Sequence, residues 1–444
     1  MEGFYYNLPL LIEGIGTNMT PDLLKRIIAD QREEGLPKQY FERTSENKLR
    51  QLSNNREIIV LIGVRRCGKS VLLQQARQFN AESEYYFNFE DERLITFTVE
   101  DFQLLQEVFI ELYGLQKTYY LDEIQNIEGW ERFARRLYNA GNKIYITGSN
   151  ATLFSKELGT RLTGRYITLN IYPFSFYEFI KHQSPDLADQ KTFSTTQVGQ
   201  TKKLFSQYCQ WGGFPEYVKY QQTEYLHSLY ESIIYRDILA RYKIPNAKSL
   251  KELVFYLASN CSKEITYNSL RKLLGLGSAT TISDYCSYLE YSYLCFFVNR
   301  YSDSVKAQIQ SPKKVYFIDH AFARTIGFRF SEDKGRMFEN IVFIELKRRA
   351  FDIYYYRDNK ECDFLIRKTG KIIGAIQVCQ TLHNTETKQR ETEGLLEALE
   401  RFAFREGYIL TESEENTTVI QQNGINYKII VMPIWKWLLL GDIV

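Results

Sequence analysis

The stretch Ile58-Ile59-Val60-Leu61-Ile62-Gly63-Val64-Arg65-Arg66-Cys67-Gly68-Lys69-Ser70-Val71-Leu72-Leu73 runs from apolar strand formers through a glycine-bracketed turn into helix formers. G-x-x-x-x-G-K-S between a strand and a helix is the pattern of a phosphate-binding loop. The glycines let successive backbone N–H groups face an anion, and the helix start adds partial positive charge. Lys69 is placed to reach the terminal phosphates of a nucleotide and Ser70 to offer its hydroxyl to Mg²⁺. The nucleotide-binding residues expected here are therefore Gly63 through Val71.

Alternating strand and helix patterns continue to about Tyr177, which predicts a mainly parallel sheet. The expected strands are Ile58–Ile62, Tyr85–Phe89, Thr118–Leu121, Lys143–Thr147 and Tyr166–Ile171. Thr20-Pro21-Asp22 reads as a helix start. The polar stretch from Lys181 to Thr201 reads as a linker or a loop between domains, and the chain from Leu204 to Leu257 as mostly helical. Residues from Ile265 to Val298 have helix-turn-helix and strand spacing, the grammar of a winged helix. Strand and helix alternation returns from Lys313. The expected division is 1–180, 181–310 and 311–444.

A length of 444 residues, 44% hydrophobic and 25% charged, is that of a globular protein with about three domains. A net charge of +2 gives no global argument for nucleic acid. The seven cysteines show no metal-binding or paired spacing and read as reduced thiols. Cys67, inside the loop, reads as a tolerated loop residue rather than a reactive thiol. No stretch reaches the roughly twenty apolar residues of a membrane span, and no secretory signal opens the sequence. The expectation is a cytoplasmic protein with no membrane partner.

Hydrolysis needs acidic partners, and Tyr119-Tyr120-Leu121-Asp122-Glu123 supplies two at a strand end. Asp122 is the expected Mg²⁺ ligand with Ser70, and Glu123 the expected base for water. Ser149 and Asn150, ending the next strand in Thr147-Gly148-Ser149-Asn150, are placed to meet the terminal phosphate. Among arginines, Arg165 is the preferred group for transition-state charge and Arg161 the second.

The order of these motifs resembles the ATPase part of a prokaryotic group of AAA-type, STAND-like proteins. The likeness extends through Gly164-Arg165, Ile171-Tyr172-Pro173-Phe174-Ser175-Phe176-Tyr177-Glu178-Phe179, Gly212-Gly213-Phe214-Pro215-Glu216 and Tyr235-Arg236-Asp237-Ile238. It implies an α/β fold: an AAA-like P-loop NTPase sheet, a helical and winged-helix segment, and a restriction-endonuclease-like domain. ATP with Mg²⁺ is the cofactor it implies. Glu339, Asp363 and Gln377 fall where such a nuclease holds a second metal, but Gln377 and Cys379 stand where an acid and a lysine are usual. That departure argues for a domain that has lost its chemistry.

The expected function is an Mg²⁺-dependent ATPase with Lys69, Glu123 and Arg165 at its reacting centre. Its ATP and ADP states would reposition the other domains toward a protein partner or a second copy. The alternative is an ATP-regulated DNA-binding protein or nuclease. The presumed recognition helix, Thr281 to Leu289, lacks Lys and Arg, which favours the first reading.

Overall fold

The computed structural model describes residues 19–35, 40–149, 162, 164–328 and 333–441. Strands β1 (Ile58–Ile62), β2 (Tyr85–Asn88), β3 (Thr118–Asp122), β4 (Lys143–Gly148) and β5 (Tyr166–Asn170) form one sheet in the order β2-β3-β4-β1-β5. All its pairings are parallel. Every residue of β1 is buried, which is why it is apolar on both faces. Because β4 lies between β1 and β3, their carboxyl ends open on one edge, where ligands of parallel sheets sit. The helix Pro21–Glu34 starts as expected, with Thr20 Oγ1 accepting from Leu23 N at 3.3 Å.

The segment expected to be a linker is largely helical: Phe176–Gln183, Pro185–Ala188 and the first turns of Thr195–Trp211. The missed signal is a capping box. Ser194 N donates to Gln197 Oε1 at 2.8 Å and Ser194 Oγ accepts from Gln197 N at 3.3 Å. Helices Pro215–Tyr220 and Thr223–Ser232 follow, the latter running into a π-helical segment, Ile233–Ala240. After helix Ala247–Ser259 come β6 (Glu264–Ile265), helices Tyr267–Leu273 and Ala279–Tyr291, β7 (Cys295–Asn299) and β8 (Lys313–Phe317). The three strands form an antiparallel sheet in the order β6-β8-β7. This sheet crosses position 311, where the sequence pattern divides the chain.

Helix Lys334–Arg348 leads into a six-stranded mixed sheet of β9 (Asp352–Arg357), β10 (Glu361–Lys368), β11 (Lys371–Val378), β12 (Glu406–Thr411), β13 (Asn416–Gln422) and β14 (Ile425–Pro433). Its order is β13-β14-β12-β11-β10-β9. One continuous core joins the parallel sheet, the helices and this sheet. A second, smaller core lies beneath helix Thr385–Arg401.

The parts meet at the segment after β5, where four consecutive carbonyls each accept from a different group. Cys67 Sγ donates to Ile171 O at 3.3 Å and Arg43 Nη2 to Tyr172 O at 2.6 Å. Arg348 Nη2 donates to Pro173 O at 2.9 Å and Tyr208 Oη to Phe174 O at 3.0 Å. The phosphate loop, the residue before helix Thr44–Ser53, the terminal unit and the middle helices are thus fastened to one short stretch. Gly213 completes it: its carbonyl accepts from Phe174 N at 2.7 Å, and a Cβ there would overlap the Phe174 carbonyl. Gly213→Ala is expected to cost about 2–4 kcal/mol through this backbone clash. Urea unfolding measures it, and a wild-type midpoint would mean the crossing is slack.

Candidate nucleotide-binding site

The loop after β1 is shaped by two glycines. A Cβ on Gly63 would overlap the Ile171 carbonyl, and Gly68 has φ 97°, a left-handed backbone natural to glycine. Arg43 Nη1 donates to Cys67 O at 2.7 Å and braces the loop from outside. Cys67 is buried, and burial pushes its thiol up, so it packs rather than reacts. Lys69 is buried at the start of the helix Lys69–Phe79. Its Nζ donates to Val64 O at 3.2 Å and lies 3.5 Å from Glu123 Oε1.

Adjacent strands bring the acids to the same place. Ser70 Oγ donates to Asp122 Oδ1 at 3.2 Å, Tyr86 Oη donates to Asp122 Oδ2 at 3.2 Å, and Thr147 Oγ1 also donates to Oδ1. Glu123 N donates to Thr147 Oγ1 at 2.9 Å, so the end of β4 fixes both acids. Glu123 takes a left-handed backbone, φ 50° and ψ 37°, which turns its side chain toward Lys69 rather than along the strand. Burial and the Glu123 charge push the Asp122 carboxyl up to about 6. Burial alone would raise Glu123 as well, but Lys69 and Gln125 hold it below the usual carboxylate value. Ser70 and Asp122 offer two convergent oxygens for a hard cation, the donor type Mg²⁺ takes. The Ser149 hydroxyl is buried at the end of β4 with no hydrogen-bond partner among the described residues.

Asn150, like Arg161, lies outside the described residues. Arg165 precedes β5 at the edge of the sheet opposite the loop. Its carbonyl accepts from Ile58 N, and its guanidinium lies over Tyr138. With β1 five residues long at about 3.3 Å per residue, it cannot reach the site within this chain. The cause is register: Gly164-Arg165 leads into the start of β5, whereas the loop leaves the end of β1.

The loop opens on a cavity of about 570 Å³, a size that suits a small-molecule ligand. Arg65, Lys69, Ser70, Glu90, Glu123 and Arg236 are among its polar lining residues, and Tyr40, Phe41, Phe174 and Tyr220 are its aromatic ones. Val71 also faces the cavity. Arg65 grips Asp237 through two bonds of 3.1 Å and Glu90 Oε1 at 2.7 Å, while Arg66 pairs with Glu216 at 3.0 Å. The aromatic wall, Glu90 and Arg236 were not read as site residues in the sequence. They come from segments far apart in the chain.

In the terminal unit, Glu339 and Asp363 come together around an ammonium, and Gln377 is joined to them through Asp363. Lys314 Nζ, from β8, lies 3.0 Å from Glu339 Oε1, 2.7 Å from Glu361 Oε1 and 2.9 Å from Asp363 Oδ1. Gln377 Oε1 accepts from Asp363 N at 3.0 Å, and its amide donates to Glu391. Among the described residues no group of three His, Cys, Asp or Glu is arranged to hold a metal. At the place where the sequence suggested a second metal, the Lys314 ammonium stands between Glu339 and Asp363. Burial alone would lower the Lys314 pKa, but Asp363 and Glu339 hold it well above the usual ammonium value. Burial and the Asp363 charge push Glu339 up to about 8.

Residues 55–180 match the family described as an AAA domain. Residues 202–333 and 334–437 match two domains of unknown function, DUF8612 and DUF4143. An uncharacterized protein of Methanocaldococcus jannaschii is 34% identical over 432 residues, 94% of this chain and 95% of its own. An uncharacterized protein of Haemophilus influenzae is 34% identical over 366 residues, 77% of this chain and 88% of its own. Among solved structures, a STAND protein with a tetratricopeptide repeat sensor from Pyrococcus horikoshii is 14% identical, covering 71% of this chain and 46% of its own, at a TM-score of 0.28. AMPPCP-bound DnaA from Aquifex aeolicus is 16% identical, covering 56% and 89%, at 0.24. Likenesses that weak add nothing to the site. No helix among the described residues is long and apolar enough to cross a membrane.

Two stability measurements check this electrostatic account. The folded Asp122 carboxyl keeps its proton to about pH 6, against a reference of 3.8, so its contribution favours folding at low pH and is lost as pH rises through 6. Asp122→Asn should therefore melt higher than wild type at pH 8, with the gain vanishing near pH 4. Lys314→Met should lose about 3–5 kcal/mol by leaving buried carboxylates without a counter-ion, and adding Asp363→Asn should restore part of it. A single variant as stable as wild type would refute the buried tie.

Proposed function

The chain belongs to one family with the uncharacterized Methanocaldococcus and Haemophilus proteins, and on that premise we propose that it is an Mg²⁺-dependent ATP-hydrolysing switch. The observation that carries this is the convergence of Lys69, Ser70 and Glu123 on one cavity, with Asp122 and Thr147 bonded to them from neighbouring strand ends. The match of residues 55–180 to an AAA domain supports it.

Backbone N–H groups of the loop bind the phosphates, and Lys69 Nζ offsets charge on the terminal one. Ser70 Oγ and Asp122 would hold Mg²⁺, which supplies charge neutralisation across the last two phosphates. Glu123 orients a water and accepts its proton at the carboxylate as the water oxygen bonds to the γ-phosphorus. The bond from that phosphorus to the bridging oxygen breaks, leaving ADP and phosphate. Arg65 joins this loop to Asp237, so changes at the phosphates bear directly on the middle helices.

The output that this reading favours is a protein contact. Helix Ala279–Tyr291 carries no lysine or arginine to meet a DNA backbone, and the acidic cluster of the terminal unit is neutralised from within. In the full chain, Lys69→Ala should abolish ATP binding. Glu123→Gln should keep binding and lose hydrolysis by about 10²–10⁴-fold. Calorimetry and phosphate release measure the two. Wild-type turnover in both variants would overturn the assignment.

A further inference from the structure

The geometry points to Glu90 as an anionic place-holder for the terminal phosphate of ATP, with Arg65 and Arg236 exchanging one for the other; this rests on the ATP reading above. Glu90 stands just beyond β2, where its N–H donates to Asn88 Oδ1 at 2.9 Å. A single oxygen, Oε1, accepts from Arg65 Nη1 at 2.7 Å and lies 3.3 Å from Arg236 Nη2. All three side chains line the cavity that holds Lys69, Ser70 and Glu123. Two guanidinium groups gathered on one oxygen beside a phosphate loop form a fork suited to a phosphate.

The strengths of the ties decide which one yields. Arg236 is 62% exposed and Glu90 32%, so their pair is weak in water. Asp237 is only 4% exposed and holds Arg65 through two nitrogens, leaving Nη1 free to change partner while the grip persists. A terminal phosphate brings more charge and more oxygens than a carboxylate, so it displaces Glu90 from both arginines. ADP has no group at that depth and leaves Glu90 in place. Arg236 and Asp237 are neighbours in the π-helical segment Ile233–Ala240, so the exchange gives that segment one partner with ATP and another with ADP. Arg236 thus supplies, within this chain, the phosphate-facing arginine that Arg165 does not.

The test is calorimetry of the full chain with Mg²⁺ and either ADP or a non-hydrolysable ATP analogue. Arg236→Ala should weaken the analogue about ten-fold or more and leave ADP within about two-fold. Glu90→Gln, which removes the competing charge, should tighten the analogue several-fold and again spare ADP. Both side chains are partly exposed, and unchanged melting midpoints would show that the variants fold. If either variant shifts analogue and ADP equally, or shifts neither, the exchange is refuted while ATP binding stands. A folded wild type that takes up neither nucleotide would refute the ATP reading itself.

Discussion

Four backbone carbonyls in a row, from Ile171 to Phe174, hold the architecture together. A buried carbonyl without a donor is costly, so a strand that leaves its sheet must find partners for each one. Here the donors are a loop thiol, two arginines and a tyrosine drawn from positions 43, 67, 208 and 348. Meeting the needs of one segment thereby fixes the phosphate loop against everything that follows. Arg43 adds a second restraint, since the same guanidinium bonds Glu178 at 3.1 Å and the Cys67 carbonyl. The loop's shape is imposed by its neighbours as well as by its glycines.

Charge around the cavity follows a consistent rule. Lys69 faces Glu123, Arg65 faces Asp237 and Glu90, Arg66 faces Glu216, and Arg43 faces Glu178. A cluster of bare cations in one cavity would repel itself, and neighbouring carboxylates remove that cost. Those pairs are not equivalent. The buried ones position atoms, whereas the exposed ones are cheap to trade for an incoming anion. Asp122 shows the opposite choice: its hydrogen-bond partners are hydroxyls rather than a cation, and burial together with the Glu123 charge outweighs them and raises its pKa.

Much of this was legible in the sequence because its signals are local. The apolar runs for β1 to β5, the glycine loop and the acid pair at the end of β3 each lie within a few residues. Sequence order also suggested that these strands share a parallel sheet. What escaped reading was set by pairings across long separations. Glu90 meets residues 65 and 236, Arg43 meets 178, and Lys314 meets 339 and 363. Nothing near Lys314 distinguishes it from Lys313 until the strand shows which of them points inward. Arg165 was misplaced for a related reason: a motif locates a residue along the chain but not at which end of a strand it emerges. The stretch at 181–201 was misread because its polar composition hid a capping box.

Lys314 also limits how far the chain can be treated as interchangeable parts. Its strand belongs to the small antiparallel sheet, yet its charge is answered by carboxylates of the six-stranded one and of the helix that leads into it. A terminal segment transplanted from another protein would bury unmatched acids unless a lysine came with it, and a transplanted middle segment would have to bring that lysine itself. The seam between two separately recognised regions is therefore a shared electrostatic core, and chimeras cut near residue 333 would inherit only half of it.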